Sequence, residues 1–314
     1  MNNLVPDESD LILITEQEEG ERLDKILAKR FQEIQSRTYF QFLIDEGRVL
    51  LNGVAVKKRS KPMAGDEVEI NFIITPEVKL IPENIPLDIV YEDDDIIVIN
   101  KPVGMVVHPA PGHWSGTFVN ALLYHCKDLI PETSATIASY PRPGIVHRLD
   151  KETSGLLIAA KSSLALQRLI EMFSSREIYK EYLAICIGNP GDRSITAPIG
   201  RHPVHRKQMA VLEEGGKPSL SICKALAWND KLSLVSVNLA TGRTHQIRVH
   251  MRHIGTPILG DSTYGNVQMN KRYHTTRQLL HAYILRFKHP ITGKLLEFKA
   301  AIPEDMSSKF PTFS

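Results

Sequence analysis

Residues 144–161, GIVHRLDKETSGLLIAAK, set one carboxylate among cations on a short stretch. The apolar pair Ile145-Val146 runs into a polar knot, His147-Arg148-Leu149-Asp150-Lys151-Glu152. Thr153-Ser154-Gly155 then has turn chemistry, and the apolar run over 156–160 reads as a buried strand. Asp150 therefore belongs to a loop held by rigid neighbours, which is where reactive groups tend to sit. An ionised aspartate in a site that excludes water is a competent nucleophile. Paired carboxylates would instead suit glycoside hydrolysis, but that needs a second acid facing the same bond. Glu152, two residues on in a charged loop, reads as solvated.

A second chemical stretch is LATGRTHQIRVHMRHIG, residues 239–255. Its spacing predicts a helix capped by Thr244 and ended by Gly255. Ile247, Met251 and Ile254 form the core face, and His245, Arg248 and Arg252 a cationic stripe opposite. Arg243 lies just before the helix. The basic residues are also unevenly placed. From 22 to 61 there are ten Lys/Arg against four acids; from 241 to 290 there are eight, with Asp261 the single acid and six of the twelve histidines. On a 314-residue chain of net charge +2, two such islands predict two surfaces that meet a polyanion.

The same sequence argues against other classes. Its longest apolar runs are five or six residues, too short to span a membrane, and MNNLVPDESD lacks the pattern of a secretory signal. Cys126, Cys186 and Cys223 are scattered without C-x-x-C spacing, as expected of thiols in a reducing compartment. A cytoplasmic, monomeric protein without a metal or cofactor is the expectation. The sequence contains no P-loop, dinucleotide fingerprint or metal-ligand cluster.

The positioning elements can be read in order. Residues 1–15 are expected to be a leader, and residues 21–31 an amphipathic helix. A second helix, capped by Ser36, passes through Tyr39, Phe42 and Leu43. A hairpin then turns at Asn52-Gly53, and a strand occupies 67–72. Residues 76–86, with three prolines, read as a linker. Beyond it come strands at 88–91 and 96–99, a helix capped by Thr117, a helix over 162–173, and strands at 180–188, 220–227 and 231–239. Residues 193–219 form a basic, Pro-rich insertion, and Lys101 and His108 read as structural.

Four segments carry a family resemblance. NKPVGMVVHP, HRLDKETSG, KEYLA and GRTHQIRVHM, with LLHAYILRFKHPITG downstream, resemble in order the motifs of the RluA/RluD family of RNA pseudouridine synthases. The N-terminal order RLDKIL, SRTYFQFLIDEGRVLLNG, GDEVEI resembles the RNA-binding domain of ribosomal small-subunit protein four. The fold this implies is α+β. A small RNA-binding module (16–75) precedes a catalytic domain (87–314) whose mixed, mainly antiparallel sheet is flanked by helices.

The resemblance also implies an activity, isomerisation of specific uridines to pseudouridine in RNA, with HPVHRKQMAV pointing to large-subunit rRNA. Asp150 would be the nucleophile and Arg243 its ionic partner. Arg148 would fill the space left by a flipped-out base. Tyr182 would stack on that base and could take the C5 proton. Arg37, Arg48, Lys57, Lys58, Lys61, His245, Arg248 and Arg252 would contact RNA. Attack at C1′, attack on the base and elimination to a glycal all remain open. The alternative from the binding class is a non-catalytic rRNA-binding ribosome-assembly factor.

Overall fold

The computed structural model describes residues 9–31, 37–72, 80–109, 115–126, 129, 143–205 and 208–310. Ser36, the expected helix cap, lies outside them. The described residues fall into two compact units, one up to Leu80 and one from Ile81.

The first unit comprises β1 (Ser9–Leu13), α1 (Leu23–Arg30), α2 (Arg37–Asp45), β2 (Val49–Leu51), β3 (Val54–Ala55) and β4 (Glu67–Asn71). Its sheet runs β1-β4-β2-β3, antiparallel throughout. Asn52 and Gly53 both take positive φ, as a two-residue hairpin turn requires. Leu23, Ile26, Leu27, Phe40, Leu43, Val49, Val68 and Ile70 close one small core. One expectation is corrected here. Residues 9–13 are not a loose leader, because Ser9 to Leu13 pair with the whole of β4. An edge strand is stabilised by its partner, so its own apolar pattern was a weak signal.

The second unit is built on β5 (Ile89–Glu92), β6 (Ile96–Lys101), α3 (Phe118–His125), β7 (Ser154–Ala160), α4 (Ser163–Ser174), β8 (Tyr179–Ile187), β9 (Arg193–Thr196), β10 (Ile199–Arg201), β11 (Met209–Val211), β12 (Leu220–Trp228), β13 (Leu232–Leu239), α5 (Gln246–His253), α6 (Val267–Arg272), β14 (Leu280–Lys288), β15 (Leu295–Lys299) and α7 (Glu304–Ser307). Nine strands form one mixed sheet in the order β5-β6-β7-β14-β8-β13-β12-β9, with β15 added beside β14. Among the strands of the described residues, β7 and β14 are the pair that runs parallel. Within the expected linker, Glu83 N donates to Asn120 O at 2.9 Å and Asn120 Nδ2 to Ile81 O, so this stretch is fastened to α3.

Two close approaches hold the Asp150 loop against the sheet. Gly155 has φ +106°, and a Cβ there would lie 2.2 Å from Ala282 O. Only glycine lets β7 cross β14 so closely. At the other end of the segment, Gly144 O accepts from Ala160 N at 2.8 Å, bringing the lead-in back beside its own strand.

Candidate active site

Asp150 sits on the loop that leads into β7, and its backbone is held from two sides. Lys101, fully buried at the end of β6, donates from Nζ to the carbonyls of Pro102 (2.7 Å), Met105 (3.0 Å) and Lys151 (3.1 Å). Gly104 N also donates to Lys151 O. Burial pulls the Lys101 ammonium down to about 8, opposed by the carboxylates of Glu152 and Asp150. On the other side Arg277, anchored by Asp305 at 2.6 Å, reaches Glu152 O, and Gln278 reaches Thr153 Oγ1. Ser154 Oγ meets His281 Nδ1 at 2.9 Å. The loop is thus a rigid mount for one carboxylate.

The partner of that carboxylate is Arg248. Its Nη1 donates to Asp150 Oδ2 at 2.8 Å, while Nε and Nη2 grip Asp261 Oδ2 and Oδ1 at 2.7 and 3.0 Å. Asp261 is itself buried and accepts from the backbone N–H groups of Thr263 and Tyr264. The guanidinium also lies over the Tyr264 ring. A fork bound edge-on to one carboxylate has its remaining N–H direction fixed, and that direction ends on Asp150.

This geometry corrects two expectations for the helix. Arg243 is not the ionic partner; its Nε donates to Pro218 O at 3.3 Å, although it does line the same cleft. Arg248 is not part of a solvated stripe, being 6% exposed. The physical reason is that α5 is buried on both sides: Gln246, Ile247, Arg248, Val249, His250 and Met251 are all buried. Gln246 binds Leu220 O and Ser221 Oγ, and its Oε1 accepts from Thr241 Oγ1 and Arg243 N. His250 spans Ser221 Oγ and Ala197 O. These contacts clamp α5 to β12. Thr244 does not cap the helix; His245, with left-handed φ of +57°, occupies the N-cap position. Arg252 is exposed, as expected of a surface cation.

Arg148, Asp150, Tyr182, Arg243, His245 and Arg248 line one open cleft with Thr153, Leu239 and Leu280. The cleft has a volume of ≈ 100 Å³ and opens to solvent at its mouth. Asp150 is the one carboxylate among the lining residues, and Glu152 is not one of them. Tyr182, on β8 between Ala282 of β14 and Val237 of β13, is 8% exposed. Burial, with the Asp150 charge nearby, drives its phenol well above the ordinary tyrosine range. It is a neutral hydroxyl at neutral pH, so any proton-accepting role starts without a phenolate. Arg148 is exposed at the mouth.

Sequence reasoning missed Asp261 and Tyr264 as parts of this arrangement, while the structural role expected of Lys101 agrees with its three bonds to backbone carbonyls. Asp261 did carry a signal: a single acid in so basic a stretch is more readily explained as a partner than as a surface charge.

The N-terminal unit places its expected contact residues differently from one another. Asp24, fully buried, accepts from Arg22, Arg37 and Gln41, so the Arg37 guanidinium is partly committed inside the unit. Lys58 is ion-paired with Asp45. Lys57 and Lys61 are exposed, and Arg48 is half-buried.

Among the described residues, two groups have donor types that suit a metal, Glu92/His125/Cys126 and Asp93/Asp95/His289. Both are engaged internally. Glu92 accepts from Lys161 and pairs with His125. His289 Nδ1 accepts from Ile291 and Thr292 N–H, which leaves Nε2–H to donate to Asp93. Neither group contributes a residue to the cleft.

Comparison with known proteins follows the same segments. The family model described as RNA pseudouridylate synthase matches residues 95–253. A Bacillus subtilis protein named uncharacterized RNA pseudouridine synthase YlyB is 43% identical over 298 residues, 94% of this chain and 95% of its own length. Ribosomal large subunit pseudouridine synthase D of Escherichia coli K12 is 42% identical over 305 residues, covering 93% and 90%. Among solved structures, human RNA pseudouridylate synthase domain containing 1 matches with a TM-score of 0.54 and 29% identity, over 69% of this chain and 83% of that one.

Proposed function

Since the chain belongs to the RNA pseudouridylate synthase family and is an RNA pseudouridine synthase, we propose that it isomerises uridines of large-subunit ribosomal RNA with Asp150 as nucleophile. The observation that carries the assignment of Asp150 is its 2.8 Å contact with Arg248 inside the cleft. A facing guanidinium gives the carboxylate a charge-assisted hydrogen bond that fixes its orientation in the cleft. The match in length and identity to synthases whose names specify the large ribosomal subunit supports the substrate class.

The chemistry needs no external oxidant or group donor. The bond from N1 to C1′ breaks, the uracil turns, and C5 joins C1′. A base in a stacked helix must first leave the stack, at a cost of a few kcal/mol. Arg148 at the mouth is suited to occupy the vacated space. Tyr182 would stack on the extruded ring, a contact of about 1–3 kcal/mol. Arg252 and the exposed lysines of the first unit would meet phosphates, which orient the RNA without reading its sequence. The enzyme would act in the cytoplasm as a monomer.

The test is incubation with a large-subunit rRNA transcript followed by mapping of pseudouridine. The wild-type protein is expected to convert one or a few uridines, and Asp150→Asn none, with RNA affinity kept. Conversion by the Asn variant would remove Asp150 from the chemistry; release of free uracil would point to hydrolysis instead.

A further inference from the structure

We propose that His245 is a further catalytic residue, whose Nε2–H donates the hydrogen bond that holds negative charge on the uracil once it has left C1′. The inference rests on the isomerase reading above and adds to it the group that receives the departing base.

Four observations lead there. First, His245 takes a left-handed backbone conformation at φ +57° and ψ +20°, which side-chain-bearing residues adopt at a cost. Its side chain makes no capping bond to α5, so capping does not explain that strain. Second, Tyr264 fixes the ring. Met209 N donates to the Tyr264 hydroxyl oxygen at 2.8 Å, and that hydroxyl lies 2.9 Å from His245 Nδ1. The hydroxyl oxygen has a second lone pair, so this contact alone allows either direction; with the hydroxyl donating to Nδ1 the imidazole proton sits on Nε2, the tautomer that suits the carboxylate it faces. Third, Nε2 stands 3.8 Å from Asp150 Oδ1, too far for a direct bond. The opposite tautomer would turn a lone pair toward a carboxylate. Fourth, His245 lines the cleft. Burial keeps the ring neutral, reinforced by the cations Arg248 and Arg148 and opposed by Asp150 and Asp261.

The two oxygens of Asp150 are therefore unequal. Oδ2 is taken by Arg248, and Oδ1 faces the gap toward His245. If Oδ1 gives its electron pair to C1′, the pair of the N1–C1′ bond leaves on the uracil, whose charge spreads over N1, O2 and O4. On return, C5 gives a pair to C1′ and the carboxylate is released; the C5 proton then passes to solvent while N1 takes one up, so that no proton is gained or lost overall. Elimination to a glycal puts the same charge on the base. Nε2–H transfers no proton in either route; it donates to a uracil oxygen while the charge exists. A fixed neutral donor in a water-poor site is an efficient device for developing charge.

The experiment compares His245→Asn, which tolerates the left-handed backbone, with His245→Gln, whose amide nitrogen falls near the position of Nε2. Single-turnover rates are measured at saturating rRNA transcript, together with RNA affinity. The expected result is a rate about 10²-fold lower for Asn, recovery by Gln to within about tenfold, and unchanged affinity. Transcripts carrying 2-thiouridine or 4-thiouridine then weaken the acceptor. The wild-type advantage over His245→Asn is expected to shrink for one of them. A His245→Asn rate equal to wild type, or an advantage undiminished with both sulfur substrates, overturns the proposal. Wild-type protein that forms no pseudouridine on the oxygen transcript overturns the isomerase reading itself, and this inference with it.

Discussion

Arg248 carries two acids at once, and the consequences of its removal differ from those of removing Arg243. Arg248→Ala leaves Asp261 buried with an unpaired charge and Asp150 without its cation. Breaking a buried pair in this way costs about 3–5 kcal/mol. The expected outcome is a protein that melts lower and has no measurable turnover, whereas Arg243→Ala keeps the melting temperature and leaves the Asp150 contact intact. Thermal denaturation alongside single-turnover assays separates them; equal effects would mean that the Asp150–Arg248 contact is not what sets Arg248 apart from Arg243. Which arginine faced the aspartate was not readable from the chain, since both lie within five residues of the same helix start. Spacing says which residues share a face, but it does not say that both faces are buried. Lys101 gives a second prediction. Its folded value near 8 lies below the unfolded 10.5, so the unfolded chain binds more protons between those values and stability rises with pH there. Below about pH 8 both states are protonated and the full cost of burying the charge, about 3 kcal/mol, is present. Lys101→Met is expected to flatten the pH dependence of urea-unfolding free energy between pH 8 and 10.5, relative to wild type. An unchanged slope would refute the assignment.

Elements were legible where local chemistry decided them. Thr117 caps α3 in a reciprocal box with Asn120, Ser162 caps α4 through Ala165 N, and Asn52-Gly53 turns its hairpin. What was not legible depended on partners distant in sequence. The strand at 9–13 exists because β4 offers it an edge. The parallel contact of β7 with β14 joins residues more than 120 positions apart, and within TSG the glycine looked like an ordinary turn residue. Its structural demand yields a sharp prediction. Gly155→Ala would drive a Cβ to 2.2 Å from Ala282 O at a φ of +106°. The backbones must separate, and the reactive loop moves with them. A loss of about 3 kcal/mol or more is expected, together with lost turnover in whatever fraction stays folded. Retention of wild-type stability by the alanine variant would mean that the two strands can part without consequence for the loop.

At the scale of the molecule the question is how a chain of net charge +2 holds a polyanion. Net charge is a poor guide, because many of its cations are spent internally. Arg22 and Arg37 neutralise Asp24, Arg248 serves two acids, and Lys58 pairs with Asp45. Of the residues expected to meet phosphate in the first unit, Lys57 and Lys61 are exposed, with Lys58 contributing less because RNA must compete with Asp45. Each phosphate neutralised adds about 0.7–0.9 to the slope of log affinity against log salt. Replacing Lys57, Lys58 and Lys61 together by Gln is therefore expected to lower that slope by roughly 1.5 to 2, below the roughly 2 to 2.7 of three full contacts. Affinity should fall alike for RNAs of different sequence, because phosphate contacts carry no sequence information. Single-turnover rates at saturating RNA should stay at the wild-type level, since the cleft that holds Asp150 is lined wholly by the second unit. Filter binding across a salt series, paired with rate measurement, reads both quantities. A slope that does not change would place the first unit off the RNA, and a rate that falls at saturation would mean these lysines also shape the reacting complex.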